Sequence, residues 1–592
     1  MEKRRYKNVI MVVITLLTAF SLFTVNNLYI GSCAENGTAN ILSRFYSSYR
    51  ADSFLDIVTL LAIGFFYSYA LKQNQKFSLS AAILSVFLSF FLVLCTFYKH
   101  FDSSEFMFFD KYQVAVTFLE VIGFSILIYY LIRIIEQRIF NSREENSSQN
   151  THGRLFFVIS AVVMFAMWMM WILLAYPGGT NIDAVVQLEN FYNDIPRTAW
   201  QPPFSSLIMG GLFELGRRLV DANFGFVLYE IFQALCGAIV FSYSLYVLVK
   251  NRISIRIAAI GTAFFAFLPM WGAYAQWFEK DFLYTIATVL FATFCVEVFL
   301  KKECIVSDIV KISLSGIVMS LLRGNGIYAI IPTVIALALL FKGKNKRNLM
   351  ISTAIILLSF EVTTRIVYPC MGIGKTSVSE TIGAMFQATA RYVTEYPEEV
   401  TDYEKEVLTV NFQDYDNLLK YDPRINDPVK IYYNHSDFKA YLDIWIKMFF
   451  KHPGVYIESV LNGSYGYLAP VSQDIGPWII LEDYDSYLSE LGVMPNYNSN
   501  NNLILVWLLN INTNMPIIRY TVMPGIYTWI SIILAWILIK NKRKGAWVVL
   551  IPNVVNILVC IASPLADAMR YALPMAASTP LLLGVTLLVN RD

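Results

Sequence analysis

The chain has 592 residues, 56% of them hydrophobic and 15% charged, with a mean hydropathy of +0.51. Soluble domains carry roughly 25% charged residues, so this composition excludes a water-soluble globule and implies a polytopic membrane protein. The net charge of +2, from 46 basic and 44 acidic residues, excludes any whole-chain argument for nucleic acid or acidic partners; only its distribution is informative. The seven cysteines lie far apart, mostly inside apolar runs, with no C-x-x-C pair and no zinc spacing. They read as small hydrophobes, Cys33 and Cys370 being the one pair an outside disulfide could join.

Met1 to Ile30 opens with Lys3, Arg4, Arg5 and Lys7 and continues into an apolar run of about 20 residues, the length a bilayer needs. It resembles a signal peptide, but no small-residue cleavage site follows and further spans come at once, so an uncleaved first span is expected. Further spans are expected at about 52–71, 77–98, 113–135 and 155–176. Short cytoplasmic loops carry the excess of Lys and Arg, which puts the N-terminus, Lys72–Lys76 and Arg133–Arg154 inside. The stretch from Tyr176 to Phe204, YPGGTNIDAVVQLENFYNDIPRTAWQPPF, then falls outside. In it Pro177, Gly178 and Gly179 stop the helix, Asp183, Gln187, Glu189 and Asp194 follow, and Pro202 and Pro203 restart an apolar helix. A carboxylate at the mouth of a membrane bundle is expensive to desolvate, which makes Asp183 a candidate functional group. It serves equally well as the cap of a short surface helix.

Phe204 to Val220 is apolar enough for a span but ends in Arg217 and Arg218. If it crossed, every later basic cluster would land outside, so it is expected to lie along the outer surface or to re-enter from it. Spans at about 222–249, 257–273, 282–300, 308–322, 326–341 and 348–368 follow, with Lys301, Lys302 and Lys342–Arg347 inside. Cys370 to Met515, rich in Asp, Glu, Asn and Tyr, reads as a mainly helical extracytoplasmic domain, with turns around Tyr421–Asp427 and Asp474–Pro477. Spans at about 519–540, 546–562 and 573–589 close the chain, with Lys540–Lys544 inside. The expectation is an all-α polytopic membrane protein of about 14 spans with both termini cytoplasmic. Its regions are 1–153 (four transmembrane helices), 154–368 (a transmembrane core with first outer loop 177–221), 369–516 (the extracytoplasmic domain) and 517–592 (three helices). Sequons at Asn36, Asn434 and Asn462 face outside and read as chance matches.

Sidedness gathers polar groups on one surface. Asp183 lies in the first outer loop; Glu279, Lys280 and Asp281 open a span; Arg323 and Asn325 sit in an LLRGNG turn; Asp567, Arg570 and Tyr571, in SPLADAMRYALP, precede the last span. Acids facing bases at one interface suit an anionic lipid-linked substrate and a general base. Each taken alone also suits an interfacial anchor.

These residues carry a resemblance. The outer-loop aspartate, the Lys-Asp pair, the R-G-N-G turn and the R-Y-x-x-P start of the last span resemble the GT-C superfamily, membrane glycosyltransferases that take sugars from polyprenyl-phosphate carriers. YPGGTNIDAVVQ, the QPP helix start, FQATARYV (Phe386–Val393) and the W-x-x-x-x-x-x-H-P-x-x-Y pattern of Trp445–Tyr456 resemble an uncharacterised, largely Gram-positive family of GT-C-like proteins. The similarity runs from about Leu155 to the C-terminus. It implies a GT-C-like core with Asp183 as general base and Asp281 in a second acidic role. Lys280, Arg323 and Arg570 would neutralise the donor phosphate, a guanidinium offering bidentate contacts. Gln187, Gln201, Asn325, Gln387, Arg391 and Tyr571 would support the site or the acceptor. Many relatives have His-Pro-Pro where this chain has Gln201, Pro202 and Pro203, so a metal-ligating role there is lost, and no metal ligand is assigned. A divalent metal remains the one cofactor the resemblance allows.

The implied partners are a polyprenyl-phosphate sugar donor, the lipid bilayer and a glycan, lipid or protein acceptor, with no nucleic acid, and with the active site extracytoplasmic. A transporter or flippase of lipid-linked sugars is the alternative, although no internal repeat is visible. A scaffold presenting the extracytoplasmic domain explains that insert but not the clustered charges.

Overall fold

The computed structural model describes residues 2–25, 54–73, 75–141, 153–375, 379, 382–472, 486–494, 499–541, 545–563 and 565–589. Cys33, Asn36, Asp474–Pro477 and basic residues 542–544 lie outside them. Eight helices among the described residues are long and apolar enough to cross a membrane, or nine if Ile255–Phe267 and Pro269–Ala275, bent by 54°, form one span. The protein is therefore an all-α membrane protein. The gap from about 14 expected spans arises partly because Gly326–Leu339, Pro524–Lys540 and Ala546–Ala562 are apolar but short. At 1.5 Å per residue, a helix of about 17 residues covers roughly 26 Å of a hydrocarbon core roughly 30 Å thick. The helix Pro203–Leu219 has 17 residues and is not one of the eight.

Residue contacts group the chain into two compact units that cut across sequence order. One contains Met1–Ser142, Ile382–Gln473 and Ile561–Asp567; the other contains Arg143–Thr381, Asp474–Cys560 and Ala568–Asp592. In the first, Phe386, Tyr392, Leu408, Phe412, Tyr441 and Met448 form an aromatic-rich core. The Trp445–Tyr456 motif is a helix–turn–helix staple within it. Trp445 Nε1 donates to the Met385 carbonyl at 3.2 Å, and Tyr456 Oη returns a bond to the Trp445 carbonyl at 3.0 Å. His452 stacks on Tyr396 at 3.8 Å, and Pro453 opens the next helix, Pro453–Asn462, where its missing N–H costs nothing. Arg424 grips Asp102 with two bonds of 2.9 and 3.0 Å. Asn462 is fully buried and donates to the Asp102 carbonyl at 3.1 Å, so this sequon is closed.

The second unit is built around Ala222–Lys250, Lys280–Lys301 and Met569–Val589, whose apolar stretches are mostly buried, whereas that of Gly153–Ala175 is mostly exposed. These three are interior and the last is peripheral. Trp168 fixes the peripheral helix to the interior ones: its indole meets Phe241 and Phe282 edge-on, and its N–H donates to the Phe265 carbonyl at 2.9 Å. Above them, Gly179–Thr180 and Trp277–Phe278 pair as a two-residue parallel sheet, Gly179 opposite Trp277. Ala222–Lys250 supports that sheet from below. Gln233 Nε2 donates to the Ala275 and Trp277 carbonyls at 2.9 and 2.8 Å, and Tyr229 Oη donates to the Glu279 carbonyl at 2.8 Å. Both sides of the sheet lead directly into a helix start, Ile182–Tyr192 on one and Lys280–Lys301 on the other.

Gly178 makes the turn into the sheet. Its φ is +125°, where an L side chain is strained, and an added Cβ would sit 1.6 Å from Oε1 of the buried Glu230. Gly178→Ala should therefore destabilise the protein by about 1–3 kcal/mol from backbone strain, plus the clash. Gly211→Ala, in helix Pro203–Leu219 with open space where its Cβ would go, should be neutral or stabilising by about 1 kcal/mol. Thermal unfolding of the detergent-solubilised variants compares them; equal midpoints would show that the turn carries no constraint.

Candidate functional site

The two helix starts that the small sheet holds side by side carry the acids. Asn181 caps Ile182–Tyr192, accepting from the Ala184 N–H at 3.0 Å, and places Asp183 in the first turn. Glu279 caps Lys280–Lys301 by accepting the Asp281 N–H at 2.6 Å. Both positions put carboxylates near the positive end of a helix dipole. The cations come from two further places in the chain: Arg323 ends the helix Val306–Leu322, and Arg570 lies in the first turn of Met569–Val589.

The pairs are specific. Asp183 Oδ1 accepts from Gln201 Nε2 at 2.9 Å, and Oδ2 accepts from Arg570 Nη1 at 3.0 Å with Lys280 Nζ 3.8 Å away. Lys280 also lies 3.3 Å from Glu279 Oε1, and so stands between two acids. Asp281 accepts from Arg323 Nη1 at 3.0 Å. Tyr571 joins the two arginines: the Arg323 and Arg570 guanidiniums lie 4.6 and 4.9 Å from its ring centroid, and Arg570 Nη2 donates to its hydroxyl at 3.1 Å. Tyr284 adds a second ring to Arg323 at 5.7 Å. Glu279, Lys280 and Asp281 are 4%, 7% and 1% exposed, whereas the side chains of Asp183, Arg323 and Arg570 keep 20%, 20% and 25% exposure, so the cluster is buried at its base and reached by solvent on one side.

Electrostatics separates the acids. Burial raises the pKa of Asp183, but Lys280 and Arg570 outweigh it and hold the carboxyl below its ordinary range, ionised at neutral pH. For Glu279, burial and the neighbouring Asp281 win over Lys280 and push the carboxyl up to about 7. The site therefore holds one firmly ionised carboxylate beside one that exchanges its proton near neutrality.

The other sequence-selected residues have different surroundings. Gln187 is buried and donates to Ser205 Oγ at 2.5 Å, pinning Ile182–Tyr192 to Pro203–Leu219. Asn325 starts the helix Gly326–Leu339 without a side-chain cap bond. Gln387 and Arg391 belong to the first unit. Gln387 donates to the Asp422 carbonyl at 2.8 Å, and Arg391 pairs with Glu395 at 2.7 Å and Glu458 at 3.5 Å. Asp567 is also in that unit, accepting from Tyr465 and Ser472 at 3.1 and 2.9 Å.

Sequence reasoning passed over Tyr284, which no motif marks, and gave Glu279 no role although it adjoins Lys280. Glu230, one of several acids scattered within or near the span ends, is fully buried beneath Gly178 with neither carboxyl oxygen hydrogen-bonded to a described residue. Among the described residues no three His, Cys, Asp or Glu side chains come together to hold a metal ion. Asp183 and Asp281 each face a cation instead.

Fold and site together define a multi-pass helical membrane protein with a buried ion-pair cluster. A family of unknown function, DUF6020, matches residues 198–591, and the chain belongs to that family. Lys280, Asp281, Arg323 and Arg570 fall inside the matched stretch, whereas Asp183 precedes it. No curated protein and no solved structure matches the chain.

Two measurements check this geometry. Asp281→Asn leaves the partly buried Arg323 without its counter-charge, and should destabilise the protein by about 1.5–3 kcal/mol, whereas the double variant Asp281→Asn/Arg323→Gln should recover part of that loss. Additive effects in thermal unfolding would mean the pair does not interact. The raised Glu279 carboxyl favours the folded state fully below its ordinary 4.5, and that contribution is lost as pH rises through about 7. Glu279→Gln should therefore flatten the fall in stability between those two values; an unchanged profile would assign the slope to another group.

Proposed function

We propose that the protein is a membrane glycosyltransferase that moves a sugar from a polyprenyl-phosphate carrier to an extracytoplasmic glycan, lipid or protein acceptor. The observation that carries the reading is the contact of Asp183 with Arg570 and Lys280 at 3.0 and 3.8 Å, a carboxylate and two cations drawn from three separated parts of the chain. Asp183 acts as the base and Asp281 holds Arg323 in place. The acceptor hydroxyl oxygen attacks the anomeric carbon while its proton passes to Asp183. The bond from the anomeric carbon to the phosphate oxygen breaks, and its electron pair leaves with the polyprenyl phosphate. A single displacement of this kind inverts the anomeric centre.

Arg570, Lys280 and Arg323 neutralise the phosphate as it gains charge, where desolvated cations act most strongly. An anion drawing Arg570 and Lys280 towards itself also weakens their hold on Asp183, so the carboxylate becomes a stronger base when the donor is present. The resemblance to GT-C enzymes supports this assignment, with the site outside the membrane, about 14 spans and both termini inside.

A transporter reading would draw on the 54° break at Pro269. Trp271, Tyr274 and the rest of that short helix are buried in packing, however, and the break leads into the small sheet.

Two experiments test the proposal. Asp183→Asn should lower transfer from a polyprenyl-phosphate sugar by about 10²–10⁴-fold with donor binding kept. Parent-rate transfer by that variant, with Asp281→Asn inactive, would move the base to Asp281. For sidedness, single cysteines at Arg218 and Lys344 in a cysteine-free background should label from outside and inside respectively. Outside labelling at Lys344 would take the cluster away from the extracytoplasmic surface.

A further inference from the structure

Below the charge cluster the second unit contains an open-sided cavity of about 420 Å³, within the size range of small-ligand sites, with Ile260 and Ile517 on its rim 70% and 84% exposed. Leu245, Leu248, Gly261, Phe264, Leu583 and Leu587 line it, with residues of Pro516–Thr521 and Pro524–Lys540 on the remaining side. Its lining hydroxyls are largely committed: Thr521 donates to the Ile518 carbonyl, Thr579 to the Met575 carbonyl and Tyr527 to the Thr521 carbonyl, at 2.6, 2.8 and 2.6 Å. Water would find few partners there, and an empty apolar space forfeits dispersion contacts.

The cavity's position identifies the occupant. On Met569–Val589 its lining begins at Thr579 and ends at Leu587. It therefore starts roughly 14 Å along the helix from Arg570 and continues for roughly 12 Å. No residue from Arg570 to Ser578 lines it, so a chain attached to a phosphate at Arg570 has no lined path into it along this helix. Its other end reaches Leu248 and Ile257. Exposed Lys250 lies two residues beyond the first, and exposed Arg256 immediately precedes the second.

We propose that this cavity binds one hydrocarbon chain of an anionic phospholipid whose phosphate lies against the basic residues at the Lys250–Arg256 end. That end is cytoplasmic by the distribution of basic residues, where anionic headgroups attract Lys and Arg. The site is separate from the transferase cluster, and its test reads no turnover.

The test reconstitutes the full chain into nanodiscs containing phosphatidylglycerol or phosphatidylcholine with a photoactivatable acyl chain, and maps the adducts by mass spectrometry. Phosphatidylglycerol should label 257–264 and 579–587 at least about threefold more than phosphatidylcholine. Leu583→Trp fills the cavity and should cut that labelling several-fold; Ile260→Trp serves the same purpose if the first variant does not fold. Arg256→Gln should keep the labelling and lose the headgroup preference. Equal labelling by both probes in the parent, undiminished labelling in both tryptophan variants, or displacement of the probe by polyprenyl phosphate would each overturn the assignment.

Discussion

A carboxylate leaves water only where something replaces its hydration, and Asp183 meets that condition through Arg570, Lys280 and Gln201. The cations are distant in sequence, so their approach requires Ile182–Tyr192, Lys280–Lys301 and Met569–Val589 to begin at one level. The two-residue sheet fixes the first two, and the close packing of the interior helices brings in the third. Gly178, Tyr229, Gln233 and Glu230 all serve or abut that sheet. Removing any one cation would leave a buried acid with less compensation, so the cluster behaves as a unit.

Much of this was legible in the sequence. Hydropathy and the sparse charge identify a helical membrane protein; sidedness gathers polar groups at helix ends, and the resemblance narrows them to Asp183, Lys280, Asp281, Arg323 and Arg570, which the structure brings together, whereas Asp567, gathered with them, pairs with Tyr465 and Ser472. Gln201, noted because it stands where relatives have histidine, turns out to donate to Asp183. Other features leave no local signal. Paired strands of two residues are too short for any alternation of hydrophobicity, and the grouping of 382–473 with the N-terminal helices depends on long-range packing. Gln187 shares a helix with Asp183 but points to Ser205, a distinction that depends on where Pro203–Leu219 docks. The number of spans is less legible, because a hydropathy run does not reveal whether its helix reaches bilayer length.

The same pairing that stabilises the cluster restrains it. With Arg570 and Lys280 against it, Asp183 is a weak base; the cations that the proposed anionic donor would need are those that hold the carboxylate. On the proposed reading, donor binding exchanges one anion for another around the same cations, and the stability of the resting site sets how strongly the donor must bind. Tyr571, in contact with both guanidiniums, can keep them aligned during the exchange.

That exchange has a thermodynamic signature, because a carboxylate that loses its cations gains proton affinity. Calorimetric titration of the purified protein with polyprenyl phosphate, repeated in buffers of different ionisation enthalpy, measures the protons taken up on binding. Glu279, which titrates near 7 beside Lys280, and the phosphate itself contribute in both proteins, so the expected result is a larger net uptake by the parent than by Asp183→Asn. Equal uptake by the two proteins would contradict the account.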